Sequence, residues 1–145
     1  MGKGASDMAS PTEFEDFAEQ LGLAKHDLNA HALHLLLTNN APSASADAVL
    51  ADLAQIANGN GYTTDGIDTT NSYSESGGTG TLVCTDVQWV ASGTMATFRY
   101  PYLVNITQTS PLKPLIMYWD YGSAIALADS ETFDGDFGAS AMTVN

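Results

Sequence analysis

Lys and Arg are scarce in this 145-residue chain, which has four of them against seventeen Asp and Glu and a formal net charge of −13. The four cations are scattered along the sequence, at Lys3, Lys25, Arg99 and Lys113. Because phosphate binding needs clustered cations, we expect no nucleic-acid partner. The same charge repels acidic membranes and polymers.

The chain also has a single cysteine and no long hydrophobic run. Cys84 alone allows neither an intrachain disulfide nor a cysteine-based zinc cluster. Its setting, GTLVCTDVQW, is typical of a strand and holds no cation that would lower the pKa of a thiol, so a buried packing role is predicted. No run approaches about eighteen apolar residues, and the start, MGKGASDMAS, lacks the apolar stretch of a signal peptide. We therefore expect no membrane segment and synthesis in the cytoplasm.

The apolar content is sufficient for one core. Apolar residues make up 44% of the chain, whereas charged residues make up only 14%, against about 25% in typical soluble proteins. Residues 1–9 are small and polar and are predicted to form a flexible N-terminal tail. Residues 10–145 are predicted to form a single β-rich domain, since one core is the commonest arrangement at this length.

The N-terminal third begins with a helical pattern. In SPTEFEDFAEQLGL, Ser10 and Glu13 have the spacing of a capping box, and Phe14 and Phe17 lie on one apolar stripe. This pattern predicts a short helix near residues 11–21. The phenylalanines are expected to cover an edge of the core, and the alternative is that they contact a partner.

A second helix is predicted near residues 46–57, where SADAVLADLAQIANGNG has apolar residues on one stripe and a glycine past its end. From Gly61 onward, short runs of β-branched and aromatic residues alternate with turn residues, which is typical of strands. The predicted fold class is mainly β, an antiparallel β-sandwich or small barrel (jelly-roll-like) with one or two short helices in the N-terminal third.

One arginine stands among aromatic residues in FRYPYLVNI. On an extended strand Arg99 and Pro101 share a face, and because Pro101 cannot donate a ladder hydrogen bond, this strand is predicted at a sheet edge or at a bulge. We expect Arg99 to pair with Asp120 or another carboxylate where water is partly excluded, and to stack on a ring such as Tyr118. The partner carboxylate could belong to another subunit. The alternative is a solvated arginine whose stem covers aromatic surface.

No catalytic motif is recognisable: the chain has no nucleophile elbow, phosphate-cradling loop or dinucleotide fingerprint. His31 and His34, in HALH, share a face only on a helix, and they and His26 are predicted to be surface or boundary residues. We therefore predict no catalytic residue, no cofactor and no metal site. The interface or structural candidates are Arg99, Asp120, Pro101, Tyr118, Phe14 and Phe17.

An acidic stretch, DSETFDGDFG, leaves a calcium site open. Its carboxylates, Asp129, Glu131, Asp134 and Asp136, are ligands of the type that calcium prefers. The stretch lacks the twelve-residue loop pattern and its closing glutamate, and a solvated strand face also explains these residues.

Seven sequence blocks carry a resemblance to a known group of proteins. EFEDFAEQLGL, HALHLLLTNNAPSA, IANGNGYTTDGID, DVQWVASG, FRYPYLVNIT, PLIMYWDYGSAIAL and ETFDGDFGA, in this order from about residue 14 to residue 144, resemble small β-rich virion proteins of tailed bacteriophages. The resemblance implies a structural, non-enzymatic role as a capsid decoration (cement) protein on the outer surface of the major capsid lattice.

The resemblance also implies partners and a location. The expected partners are the major capsid protein and further copies of this chain, with a trimer favoured because it matches local three-fold positions of a capsid. The expected location is the capsid surface of the virion, after synthesis in the host cytoplasm. The alternative role is a tail, fibre or host-surface module whose Tyr and Trp residues line a glycan site.

Overall fold

The computed structural model describes residues 2–4, 8 and 10–145, with the backbone alone for residues 2–4. These residues are mainly β, with one short helix, α1 (Glu15–Gly22), and a 3-10 turn at Leu50–Asp52. The strands are β1 (Gly2–Gly4), β2 (Thr12–Glu13), β3 (Leu33–Thr38), β4 (Ile67–Asp68), β5 (Ser72–Ser76), β6 (Thr79–Val83), β7 (Val87–Val90), β8 (Tyr100–Asn105), β9 (Leu115–Tyr118), β10 (Thr132–Gly135) and β11 (Met142–Val144).

Three sheets are formed from these strands. The largest has the order β2-β9-β8-β3-β4, and the two smaller ones have the orders β11-β6-β5 and β1-β10-β7. Neighbouring strands are antiparallel except β1 and β10, which are parallel. The predicted mainly-β class is confirmed, and no sheet closes into a barrel within the described residues. None of the helices described there has the length and apolar character needed to cross a membrane.

The five-stranded sheet is buried on both faces. Leu35 and Leu37 of β3 pack into a large hydrophobic cluster, whereas Leu36 packs into a smaller cluster. In β8, Leu103 belongs to the large cluster and Tyr102 to the small one. Because both faces of the sheet are buried, the sequences of these strands are nearly continuous apolar runs rather than alternating apolar and polar residues.

The first helix begins later than the sequence predicts. Thr12 and Glu13 pair with β9 as strand β2, so the predicted capping box does not form. The helix starts at Glu15, and Phe14 is its N-cap without a side-chain capping bond. Glu15 and Asp16 lie in the first turn, where negative charge interacts favourably with the helix dipole.

The predicted helix at 46–57 is wrong, and the structure has only the 3-10 turn within that range. The backbone there is held by another segment: the N–H of Leu50 donates to Lys113, and the N–H of Leu115 donates to Ala48, at 2.9 Å each. Val49, between them, is extended and forms an isolated β-bridge with Pro114, so bonds to a distant segment of the same chain replace the internal bonds of a helix. Tertiary pairing therefore overrides the helical pattern.

The prediction that Pro101 marks a sheet edge is also wrong, because β8 is central between β9 and β3. The carbonyl of Pro101 accepts the N–H of Trp119 at 2.9 Å, and the carbonyl of Arg99 accepts the N–H of Tyr121 at 3.1 Å. Backbone pairing with the segment that contains β9 therefore continues on both sides of the proline. Only the one donor that Pro101 cannot supply is missing from it. A register shift does occur in β8, between Leu103 and Val104.

The predicted flexible tail at 1–9 falls largely outside the described residues. Within it, Gly2–Gly4 form β1 along β10. Cys84 is buried, as the sequence predicts, and burial raises the pKa of its thiol to about 11.

Candidate functional site

Arg99 and Asp120 form a bidentate ion pair within one chain. The Nε of Arg99 donates to one carboxylate oxygen of Asp120 at 2.8 Å, and a terminal nitrogen donates to the other at 3.0 Å. The same carboxylate accepts the backbone N–H of Gly122 at 2.8 Å. Arg99 first, and then Gly122, hold the pKa of Asp120 below its usual range. The predicted pairing is therefore present.

Two details of that prediction are wrong. The side chains of Arg99 and Asp120 are 37% and 45% exposed, so water is not excluded from the pair. The ring under the guanidinium belongs to Tyr100, at 5.2 Å, and not to Tyr118. Adjacent strand residues point to opposite faces, but Arg99 precedes the first residue of β8, where the backbone is not part of the regular strand.

We expect Arg99→Ala to lower the free energy of unfolding only slightly, since exposed ion pairs contribute little. Urea denaturation at low and high salt measures this loss, which should shrink further in high salt. Arg99→Lys is the matched control, because it keeps the charge and loses the fork of donors. A loss of stability as large as that of a core truncation, or a change in oligomer size, would contradict this account and place the pair in an interface.

The remaining interface candidates contribute to the core. Phe14 and Phe17 are 1% and 2% exposed, and Pro101 is buried. Tyr118 is half-buried and packs on Phe14, with ring centroids 5.2 Å apart. Their role in the described chain is therefore structural, in agreement with the expected core position of the phenylalanines.

A polar network fixes the connection that precedes β4. The amide oxygen of Gln55 accepts the hydroxyl of Tyr62 and the backbone N–H of Asp65, both at 2.8 Å. Lys113 donates to the carboxylate of Asp65 at 3.0 Å. Nδ1 of His34 lies 2.7 Å from the carbonyl oxygen of Asp65 and must donate to it. These bonds connect β3 to two loops that are distant in sequence.

The chemistry of this network is that of a structural connection. Burial raises the pKa of Tyr62, so its hydroxyl keeps its proton. The bond from Lys113 lowers the pKa of the Asp65 carboxyl, so the acid stays ionised and paired. General acid–base chemistry near neutral pH would need the opposite shifts.

Many carboxylates hold loops by accepting backbone N–H groups. Asp52, for example, accepts the N–H groups of Ala48 and Val49 at 3.0 Å each, and these bonds lower the pKa of its carboxyl. The carboxylates with such backbone bonds are Asp27, Asp47, Asp52, Asp68, Glu75, Asp86, Asp120, Asp129, Glu131 and Asp136. A chain with very few cations thus stabilises its negative charges with its own backbone.

The acidic stretch considered for calcium does not form a ligand set. Asp129 and Glu131 cap loop N–H groups, and Asp134 accepts from Gln88 at 2.6 Å. Among the described residues, no group of three or more His, Cys, Asp or Glu side chains is arranged to hold a metal ion.

The histidine prediction needs a correction. His26 is buried rather than at the surface, and its ring and that of His31 both contact the side-chain amide of Asn105. Asn105 is itself fully buried at the end of β8. The sequence signal for this cluster is an asparagine at the end of an otherwise apolar strand, YPYLVN, because a buried amide needs polar partners.

The described residues form several surface grooves. One, of about 370 Å³, is lined by Tyr73, Asp27, Asn29 and the segment around His26. Another, of about 320 Å³, lies beside Asp134, and a third, of about 280 Å³, lies beside Leu112, which is 60% exposed. Both tryptophans are buried, at 2% and 4% exposure, so neither lines a surface site in the described chain.

Comparison with protein families, curated proteins and solved structures finds no match for this chain.

Proposed function

We propose that this chain is a structural virion protein of a tailed bacteriophage, a capsid decoration (cement) protein that binds the outer surface of the major capsid lattice. The observation that carries this proposal is that the polar groups described above are already used inside the molecule. Carboxylates cap loops, and Gln55, Tyr62 and Asp65 bind one another. A protein organised in this way is suited to packing against neighbours.

The seven sequence blocks that resemble phage virion proteins give the proposal its specific form. The surface charge supports it, because the two ion pairs of the described residues neutralise only two of the many carboxylates. The remaining negative surface limits adhesion to nucleic acid and favours a partner with basic side chains.

We also propose that the three sheets pack as an open sandwich and that the protein assembles as a trimer. The large hydrophobic cluster supports the sandwich, since it joins Leu35 of the five-stranded sheet, Trp89 of β7 and Leu82 of β6. Three-fold assembly fits the local symmetry of a capsid surface.

Copy number in purified particles tests this function. A cement protein approaches the stoichiometry of the major capsid protein, as measured by quantitative mass spectrometry, and purified chain should rebind to heads that lack it. Tens of copies or fewer per particle would favour the tail or fibre role. Absence from the particle would overturn both roles, and native mass spectrometry tests the trimer separately.

One observation favours the alternative role of a glycan-binding tail, fibre or host-surface module. The groove of about 370 Å³ combines a half-buried aromatic ring, Tyr73, with the polar side chains of Asp27 and Asn29. An aromatic ring beside short polar groups provides stacking and hydrogen bonds in one place. A glycan array screened with the wild type and with Tyr73→Ala tests this role, which requires binding that the variant loses.

A further inference from the structure

Three side chains from distant parts of the chain meet around one buried amide. Nδ2 of Asn105 lies 3.1 Å from Nδ1 of His26 and 2.9 Å from Nδ1 of His31. Oδ1 of Asn105 accepts the backbone N–H groups of Thr107 and Gln108, at 3.1 Å each. The amide therefore uses both of its hydrogens and both of its lone pairs. We call His26, His31 and Asn105 the histidine latch.

These contacts determine the protonation of both rings. Two backbone donors fix the amide oxygen in place, so the amide cannot be flipped, and its nitrogen can only donate. Nδ1 of each histidine must therefore accept a hydrogen bond. The backbone N–H of Asp27 also points at Nδ1 of His31, at 3.3 Å, which agrees with an acceptor there. Both imidazoles are thus neutral and carry their proton on Nε2.

The latch offers a protonated His26 no hydrogen-bond acceptor at either ring nitrogen. Protonation would place an N–H on Nδ1 directly against the amide hydrogens of Asn105. The other ring nitrogen, Nε2, is buried and has no hydrogen-bond partner among the described residues. A charged ring would therefore be buried with no acceptor at either nitrogen, which is far more costly than burying the neutral ring.

The groups around His26 also favour its neutral form over its protonated form. The Phe17 ring lies 5.0 Å from the imidazole and excludes water on that side. Burial, and then the neighbouring His31, lower the pKa of His26 from 6.5 to about 4, although Asp16 on α1 raises it. The carboxylate of Asp27 interacts with His31, but that carboxylate is used mainly by backbone N–H groups in its own turn.

We propose that the histidine latch is an acid-sensitive device that holds residues 23–32, the connection between α1 and β3, on the core at neutral pH and releases it in acid. This inference does not depend on the proposed function.

Release of this connection would free a backbone donor of an edge strand. Oδ1 of Asn29, within the connection, accepts the N–H of Tyr73 on β5, which is the outer strand of its sheet. Asn71 donates to the carbonyl groups of Leu28 and His31 and is the connection's other side-chain tie to that region. When the connection opens, the N–H of Tyr73 loses its acceptor and the groove beside it widens. An uncovered strand edge is a surface that a further strand can pair with.

The direction of the pH effect follows from proton uptake. In the open form the pKa of His26 returns to about 6.5, so opening binds a proton at any pH between the two values. The closed form is therefore most favoured above pH 6.5 and loses stability as the pH falls toward 4. From pH 7 to pH 5 this difference raises the opening equilibrium by about 20-fold.

Hydrogen exchange resolved by NMR tests the proposal on the whole chain. After correction for intrinsic exchange rates, the amides of Ala32, which donates to Thr107, and of Tyr73 should lose about 20-fold of their protection between pH 7 and pH 5. Amides in the β3–β8 ladder, such as that of Leu36, should not change in parallel. Nitrogen shifts should show both latch histidines in the Nε2–H form at pH 7.

Two variants sharpen the test. Asn105→Asp replaces the donor with an acceptor that fits protonated rings, so protection of residues 23–32 should rise in acid instead of falling. His34→Gln is the matched control, because His34 lies outside the latch and this variant should keep the wild-type pH dependence. The proposal is overturned if Asn105→Asp keeps the wild-type direction, or if His34→Gln abolishes the effect.

If Asn105→Asp does not fold, measurements on the wild-type protein are sufficient to test the proposal. A His26 ring that titrates at or above its ordinary pKa, or protection of Ala32 and Tyr73 that is equal at pH 7 and pH 5, would overturn the proposal.

Discussion

Phe133→Ala is expected to lower the free energy of unfolding by about 3–5 kcal/mol, the loss typical of a large aromatic residue truncated in a core. Phe133, on β10, has no exposed surface and lies in the large hydrophobic cluster. Its ring contacts three others, with centroid distances of 4.9 Å to Phe98, 5.7 Å to Tyr121 and 6.2 Å to Trp89. Removing it leaves a cavity between strands that are far apart in sequence.

Urea denaturation followed by circular dichroism measures this loss. Phe133→Leu should cost clearly less, because it keeps much of the volume. Val90→Ala is a control on the neighbouring strand β7: its side chain is 51% exposed, so a change within about 0.5 kcal/mol is expected. A loss below about 1 kcal/mol for Phe133→Ala would contradict the packing described here.

Gly66→Ala should be of comparable severity, with an expected loss of about 2–5 kcal/mol from backbone strain and overpacking together. Gly66 has φ +66°, a conformation that favours glycine. A Cβ at this position would also overlap the backbone carbonyl oxygen of Leu35, in the middle of β3. A backbone atom within a buried sheet cannot move aside without disturbing β3 and its pairing with β4, where Leu35 lies opposite Ile67.

Gly77→Ala separates the two contributions. Gly77 has a similar φ of +61°, but a Cβ there meets nothing within 4 Å. It should therefore show only the conformational cost, about 1–2 kcal/mol. Thermal or urea unfolding of both variants gives the contact contribution as their difference. Equal losses at the two positions would show that the close approach of residue 66 to β3 does not constrain the fold.

The sequence predicts the strand content well because alternation, turn residues and β-branched side chains are local signals. It also predicts the pairing of Arg99 with Asp120, since each is the charged residue of an otherwise apolar strand segment. Both inferences need only the neighbours along the chain and the two-residue period of a strand.

The errors arise where distant segments decide the local structure. The apolar stripe of residues 46–57 fits a helix, yet its backbone pairs with the segment around Lys113, which no local pattern reveals. Pro101 lies in a central strand, where backbone bonds from Trp119 and Tyr121 continue the pairing despite its one missing donor. The histidine latch combines residues more than seventy positions apart, so only its asparagine is visible in the sequence.

The use of carboxylates as loop caps restricts how the surface can evolve. A lysine in place of Asp52 or Asp129 would reverse a charge and also remove the acceptor on which a loop backbone depends. A positive charge at such a position therefore destabilises the loop conformation. Exposed polar residues that accept no backbone N–H can be substituted without this loss. The negative charge of this molecule and the conformation of its loops therefore depend on the same side chains. Substitutions that change the charge at these positions also change the loops.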